Sequence, residues 1–191
     1  MKNKLLSKFL IAICVLQLIV LVFCVGKYEF ILHYGKEIRL RTAPVDPVDI
    51  FRGRYVILNY DIQDYVSSKE VVKKFHRGEI CYLILTPKDG VYEISRITHS
   101  KPNNEIFLKL KVRYSYDKKI RFDIPFDRFY MQEYKAKKAE ELYRKANSRS
   151  RSDKSVCYAS IVVYDGDALI KDIYINGVAI AELAESKSEN N

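Results

Sequence analysis

The chain has 191 residues, of which 48% are hydrophobic, 30% charged and 13% aromatic, with only 7 Gly and 5 Pro. That length holds one domain with a sizeable core, and that composition excludes disordered, collagen-like and low-complexity classes. A formal charge of +9 makes nucleic acid and an anionic membrane surface the first partners to weigh in a soluble protein, so the placement of the charge matters.

From Phe9 to Val25 the sequence FLIAICVLQLIVLVFCV carries no charge, and Gln17 is its only strongly polar side chain. Seventeen residues at ~1.5 Å rise give about 25 Å of helix, and starting from Leu5 gives about 31 Å, against a hydrocarbon core of ~30 Å. A buried core helix would show a polar face at a spacing of three or four, and none is present. Lys2, Lys4 and Lys8 precede the run, whereas Lys27 is followed by Glu29, so the positive-inside tendency sets the N-terminus in the cytoplasm. The run exceeds the ~7–15 residues of a cleaved signal's apolar region, and Val22, Phe23, Cys24, Val25 and Gly26 offer no small-x-small cleavage site. Residues 1–7 are therefore expected to form a cytoplasmic stub, 8–26 an uncleaved transmembrane signal-anchor in the lipid bilayer, 27–183 one exported domain, and 184–191 a disordered tail. Export removes chromosomal nucleic acid as a partner.

Beyond the anchor, short β-branched and aromatic segments recur between turn signals, as in a compact β domain. The pattern predicts strands at Glu37–Arg41, Tyr55–Tyr60, Glu79–Thr86, Val91–His99, Glu105–Tyr114, Lys119–Pro125, Ser155–Val163 and Ala168–Ile175. Asp89-Gly90 and Asp165-Gly166 mark two hairpins. Ile106, Leu108, Leu110 and Val112 alternate with Phe107, Lys109, Lys111 and Arg113, a half-buried strand. Residues 66–77 read as a short helix or an irregular excursion, and Arg128–Ala146 as the one long helix of a mainly β, sandwich- or barrel-like domain. Between Lys135 and Lys154 stand eight basic and three acidic residues; this face and the linker Asn147–Ser152 are read mainly as solvated, with anionic lipid or envelope polymer as the sharper alternative. Cys14 and Cys24 fall in the anchor. Cys81 and Cys157 each lie in a candidate strand, where buried hydrophobic roles outnumber disulfides, and their pairing stays open.

Residues 41–62 read RTAPVDPVDIFRGRYVILNYDI. Pro44 and Pro47 lock φ and bar a helix, Asp46 and Asp49 can accept backbone hydrogen bonds in turns, and Gly53 permits a bend before the strand begins. Gly53, Tyr55, Leu58 and Tyr60 resemble the signature of the GDYXXLXY family of membrane-anchored bacterial proteins, with Arg54 standing where that family usually has Asp. Arg128–Glu133 (RFYMQE) is similar to the aromatic pair and Glu that the family carries before its helix. The resemblance implies one N-terminal membrane helix, an exported β-rich domain, and a polytopic membrane protein as a possible partner; it implies no substrate and no cofactor. The substitution at Arg54 argues against any role that needs a carboxylate there.

Asp46, Asp49, Asp61 and Asp64 together suggest a hard-cation site, but their order is not that of a calcium loop and turn roles are commoner, so no metal is expected. His33, His76 and His99 are scattered, and no Cys-x-x-Cys, Gly-x-Ser-x-Gly or phosphate-cradling glycine loop occurs. The plan of anchor, Pro-rich loop and Gly-led strand is similar to that of bacterial signal peptidases, yet the required Ser and Lys are missing, with Thr42 and Ala43 nearby. The expected function is that of a membrane-anchored, extracytoplasmic accessory or binding protein of the inner membrane, using Tyr55, Tyr60, Tyr130 and Arg54. The alternative is an exported envelope enzyme with Asp46, Asp49 and Glu133 as its acids.

Overall fold

In the computed structural model the described residues are 2–43, 55–131, 133–146 and 156–186. The chain opens on α1 (Lys2–Tyr34), and every side chain from Lys8 to Phe30 on it is exposed. The segment Lys8–Tyr34 is long and apolar enough to cross a membrane, and its bare apolar stretch before Lys27 suits lipid as a solvent. The helix outruns the expected span of 8–26 at both ends, because Lys27 to Tyr34 continue it onto the domain and Ile31 is 4% exposed against the sheet.

One residue, Gly35, separates α1 from β1 (Lys36–Ala43). β1 pairs antiparallel with β10 (Cys157–Tyr164), which pairs with β11 (Asp167–Ile175) and, through it, with β12 (Val178–Ala179); β3 (Asn59–Tyr60) closes the other edge. A second antiparallel sheet has the order β4 (Asp64–Val66), β8 (Lys119–Asp123), β7 (Phe107–Tyr116), β5 (Ile80–Lys88) and β6 (Val91–Thr98). A two-stranded ribbon, β2 (Tyr55–Ile57) with β9 (Arg128–Tyr130), completes a nearly barrel-like body. Along β7, Leu108, Leu110 and Val112 are almost fully buried while Lys109, Lys111 and Arg113 face water. Their inward face meets Ile38, Leu40, Ile161 and Ile173 of the first sheet in one core. The expected hairpins form with both central residues at positive φ, Asp89 at 50° and Gly90 at 81°, then Asp165 at 50° and Gly166 at 86°, the backbone of the turn that matches strand twist.

Three expectations change, and one open alternative is resolved as a helix. The strand foreseen over Tyr55–Tyr60 is two strands, interrupted at Leu58, since β2 bonds to β9 and β3 to β1. Arg128–Tyr130 is strand, not helix: the open edge of β2 supplies ladder partners that local propensity cannot foresee, and α3 begins only at Glu133 and ends at Ala146. The excursion after Val66 holds one short helix, α2 (Lys69–Val72), capped by Ser68, with Val72 and Phe75 buried behind it. The tail expected to be disordered from residue 184 instead carries α4 (Ile180–Ser186), which packs on α3 with Ala184 3% exposed. The linker at 147–152 and the last residues, 187–191, lie outside the described residues.

Cys81 and Cys157 are both free and buried, one in each sheet. The Cys81 thiol donates to the Leu110 carbonyl at 3.6 Å. Burial pushes the Cys81 thiol up to about 12 and the Cys157 thiol up to about 11, so neither presents the thiolate that attacks electrophiles. In a chain with Cys14→Ala and Cys24→Ala, maleimide at pH 8 should leave the folded protein unmodified and add two labels in urea, read by mass. Labelling of the folded domain would contradict this packing.

Candidate functional site

A strand's side chains alternate between faces, so the signature must divide its residues between core and surface. Val56, Leu58 and Tyr60 point in, at 0%, 1% and 2% exposure. The Tyr60 hydroxyl donates to the Phe126 carbonyl at 3.0 Å and its ring meets Phe126 edge-on at 5.5 Å. Burial, with Tyr143 and Asp127 nearby, raises the Tyr60 phenol well above its ordinary value. The Leu58 amide donates to the Asp127 carbonyl at 2.8 Å. Tyr60, expected as a binding residue, is thus a core residue that staples the signature strand to the 126–130 segment.

Tyr55 faces the other way. In the ribbon it stands opposite Tyr130, with Val56 opposite Phe129 and Ile57 opposite Arg128. The Tyr55 and Tyr130 rings lie 5.5 Å apart at 57°, and the Arg128 guanidinium sits 5.2 Å over the Tyr55 ring. Tyr130 is exposed and Tyr55 half-buried. Two tyrosines and an arginine in this arrangement form an amphipathic contact surface: rings to bury, hydroxyls and a planar fork to hydrogen-bond, and little side-chain freedom to lose. Tyr55 and Tyr130, paired in the sequence reading only by residue type, are brought together. Arg128 was not foreseen as part of the site, being assigned to a helix; the out-in-out order Arg128, Phe129, Tyr130 was the available signal of a strand.

Where β1 ends, a cleft of about 220 Å³ is lined by Arg41, Asp61, Asp64, Tyr65, Tyr92 and Glu93 among others. Asp64 is held by Lys119 at 2.9 Å, with Arg121 at 3.7 Å, and Glu93 by Lys88 at 2.9 Å. Asp61 is at the rim; the surrounding protein displaces enough water to raise its carboxyl above the ordinary value, Arg41 opposing and Glu93 adding to the rise. Asp61 and Asp64 therefore do share one cleft, but no group of three or more His, Cys, Asp or Glu residues among the described residues gathers to hold a metal ion. Pro44, Asp46, Pro47, Asp49, Gly53 and Arg54 lie outside the described residues. Glu133 opens α3 at the end of the ribbon.

Comparison with curated proteins and with solved structures returns no match. One family model does match: described as GDYXXLXY protein, it covers residues 17–173, from the middle of α1 into β11.

Proposed function

The chain belongs to the GDYXXLXY family, whose model covers most of it, and on that footing we propose that it is a membrane-anchored, extracytoplasmic accessory protein that docks on a neighbouring integral membrane protein or envelope component. The observation that carries this reading is the division of the signature strand: Val56, Leu58 and Tyr60 are consumed by the core, and Tyr55 turns outward, onto Tyr130 and under Arg128. A ring pair under a guanidinium, which also pairs with Asp127 at 3.7 Å, offers rings to bury and groups to hydrogen-bond, a combination suited to binding. Arg54, next to Tyr55 in the sequence, lies outside the described residues.

The lysines before the apolar run and the near-neutral stretch after it favour a cytoplasmic N-terminus, with the domain in the periplasm and the helix in the inner membrane. Alkaline phosphatase fused after Tyr34 should be active; an inactive fusion would sink that orientation. The role itself is tested by complementing a deletion phenotype. Tyr55→Ala with Tyr130→Ala should fail although the domain stays folded, whereas Asp49→Asn and Glu133→Gln should complement fully. The reverse pattern would favour the enzymatic alternative.

A further inference from the structure

The apolar helix is longer than the hydrocarbon core of a membrane. Its span Lys8–Tyr34 has 27 residues, about 40 Å at ~1.5 Å each, against ~30 Å of hydrocarbon. With the uncharged stretch Phe9–Val25 in the hydrocarbon, residues 27–34 cross the headgroup layer. That part of the helix is not bare. Lys27 Nζ pairs with Asp167 at 2.8 Å, the Phe30 ring meets Tyr164 edge-on at 5.0 Å, and the Gly35 amide donates to the Ile31 carbonyl at 2.8 Å as the chain enters β1. These contacts set the β10–β11 turn alongside the helix at the level of Lys27, where hydrocarbon gives way to headgroups. The second sheet reaches the same end, because the Lys109 amide donates to the Gly166 carbonyl at 2.9 Å and Lys101 pairs with Asp165.

We propose that this end of the barrel is a second membrane contact: the domain rests on the lipid headgroups, with Tyr164 and the Asp165-Gly166 turn in the interfacial layer. The chemistry fits. Tyr28, Phe30, Tyr34 and Tyr164 are 40–63% exposed here, an aromatic belt of the kind that prefers the membrane–water boundary. Asp165 and Asp167, the acids that anionic lipid would repel, are each neutralised by a lysine, Lys101 and Lys27. The inference depends only on α1 lying in a bilayer; it is independent of the partner proposed for the Tyr55–Tyr130 surface and of which side of the membrane the domain occupies.

The chain has no tryptophan, so a single substitution supplies a clean depth probe. The full-length protein with Tyr164→Trp is reconstituted in phosphatidylcholine–phosphatidylglycerol vesicles, with or without lipid brominated high on its acyl chains. Tyr116→Trp, at the far end of β7 some 30 Å along the strand, is the distal control, and Tyr28→Trp reports insertion of the helix itself. Emission from Tyr164→Trp and Tyr28→Trp should fall about twofold with brominated lipid, as expected of an interfacial side chain, and that from Tyr116→Trp should not change. Emission from Tyr164→Trp that is as indifferent to bromine as the distal control, or quenching of all three alike, overturns the proposal. Ser100→Trp, exposed and next to Lys101, gives the same reading and keeps the Lys101–Asp165 pair should the first variant fold poorly.

Discussion

Tyr60→Ala is expected to lower the unfolding free energy of the domain by about 3–5 kcal/mol, the range for truncating a fully buried aromatic side chain. The ring is 2% exposed and packs on Phe126, so its removal leaves a cavity between the signature strand and the 126–130 segment, where close-packed walls collapse only in part. Tyr60→Phe separates the two parts of the effect. It keeps the ring and deletes the hydroxyl, leaving the Phe126 carbonyl without that donor, at a cost of about 1–2 kcal/mol. Tyr55→Ala, only three residues from buried Leu58 but on the opposite face, should change stability by less than about 1 kcal/mol. Urea titrations of the three variants would check this order; equal losses at Tyr55 and Tyr60 would mean that the signature strand does not divide its faces as described.

Gly35→Ala should have the next largest effect, about 1–3 kcal/mol, from overpacking. A Cβ at this position would run into the Ile31 carbonyl oxygen and the Val162 Cγ1 atom, with the Val163 carbonyl close by. Two of those neighbours are backbone and cannot rotate away. The substitution therefore forces α1 off β10, and its consequence extends beyond stability, since Gly35 is the whole connection between the membrane helix and β1. In the native chain the Gly35 amide donates to the Ile31 carbonyl at 2.8 Å, which leaves that one-residue connection little conformational freedom. Spin labels on α1 and on β10 should give one narrow distance distribution in the native protein and a broad one in Gly35→Ala; a distribution already broad in the native protein would show that the helix is a loose tether.

Much of this architecture is legible in the sequence because the signals are local. An uncharged run such as Phe9–Val25 has one solvent that suits it, and Asp89-Gly90 and Asp165-Gly166 adopt the two positive φ values of a tight hairpin. Asn176-Gly177 carries the same signal, with φ of 52° and 85°, and marks the β11–β12 turn that the pattern reading passed over. What was not legible depends on partners distant in the chain. Arg128–Tyr130 precedes a helical stretch without a break in charge pattern, and only the free edge of β2 makes it a strand. The change of partner at Leu58 is set by Asp127, far along the chain, accepting its amide. The site shows the same limit. Tyrosines at 55 and 130 stand out by type, but that Tyr60 belongs to the core and Arg128 to the surface follows from which strand faces which, as does the meeting of Arg41, Asp61 and Tyr92 around one cleft.

The proposed role requires that the domain present Tyr55, Tyr130 and Arg128 to a partner in the membrane. Affinity purification from detergent-solubilised membranes, comparing the native chain with a folded Tyr55→Ala, Tyr130→Ala variant, tests it most directly. An integral membrane protein should copurify with the native chain and be lost with the variant, while both melt at the same temperature. Retention of that protein by the variant, or its absence from both, would overturn the docking role.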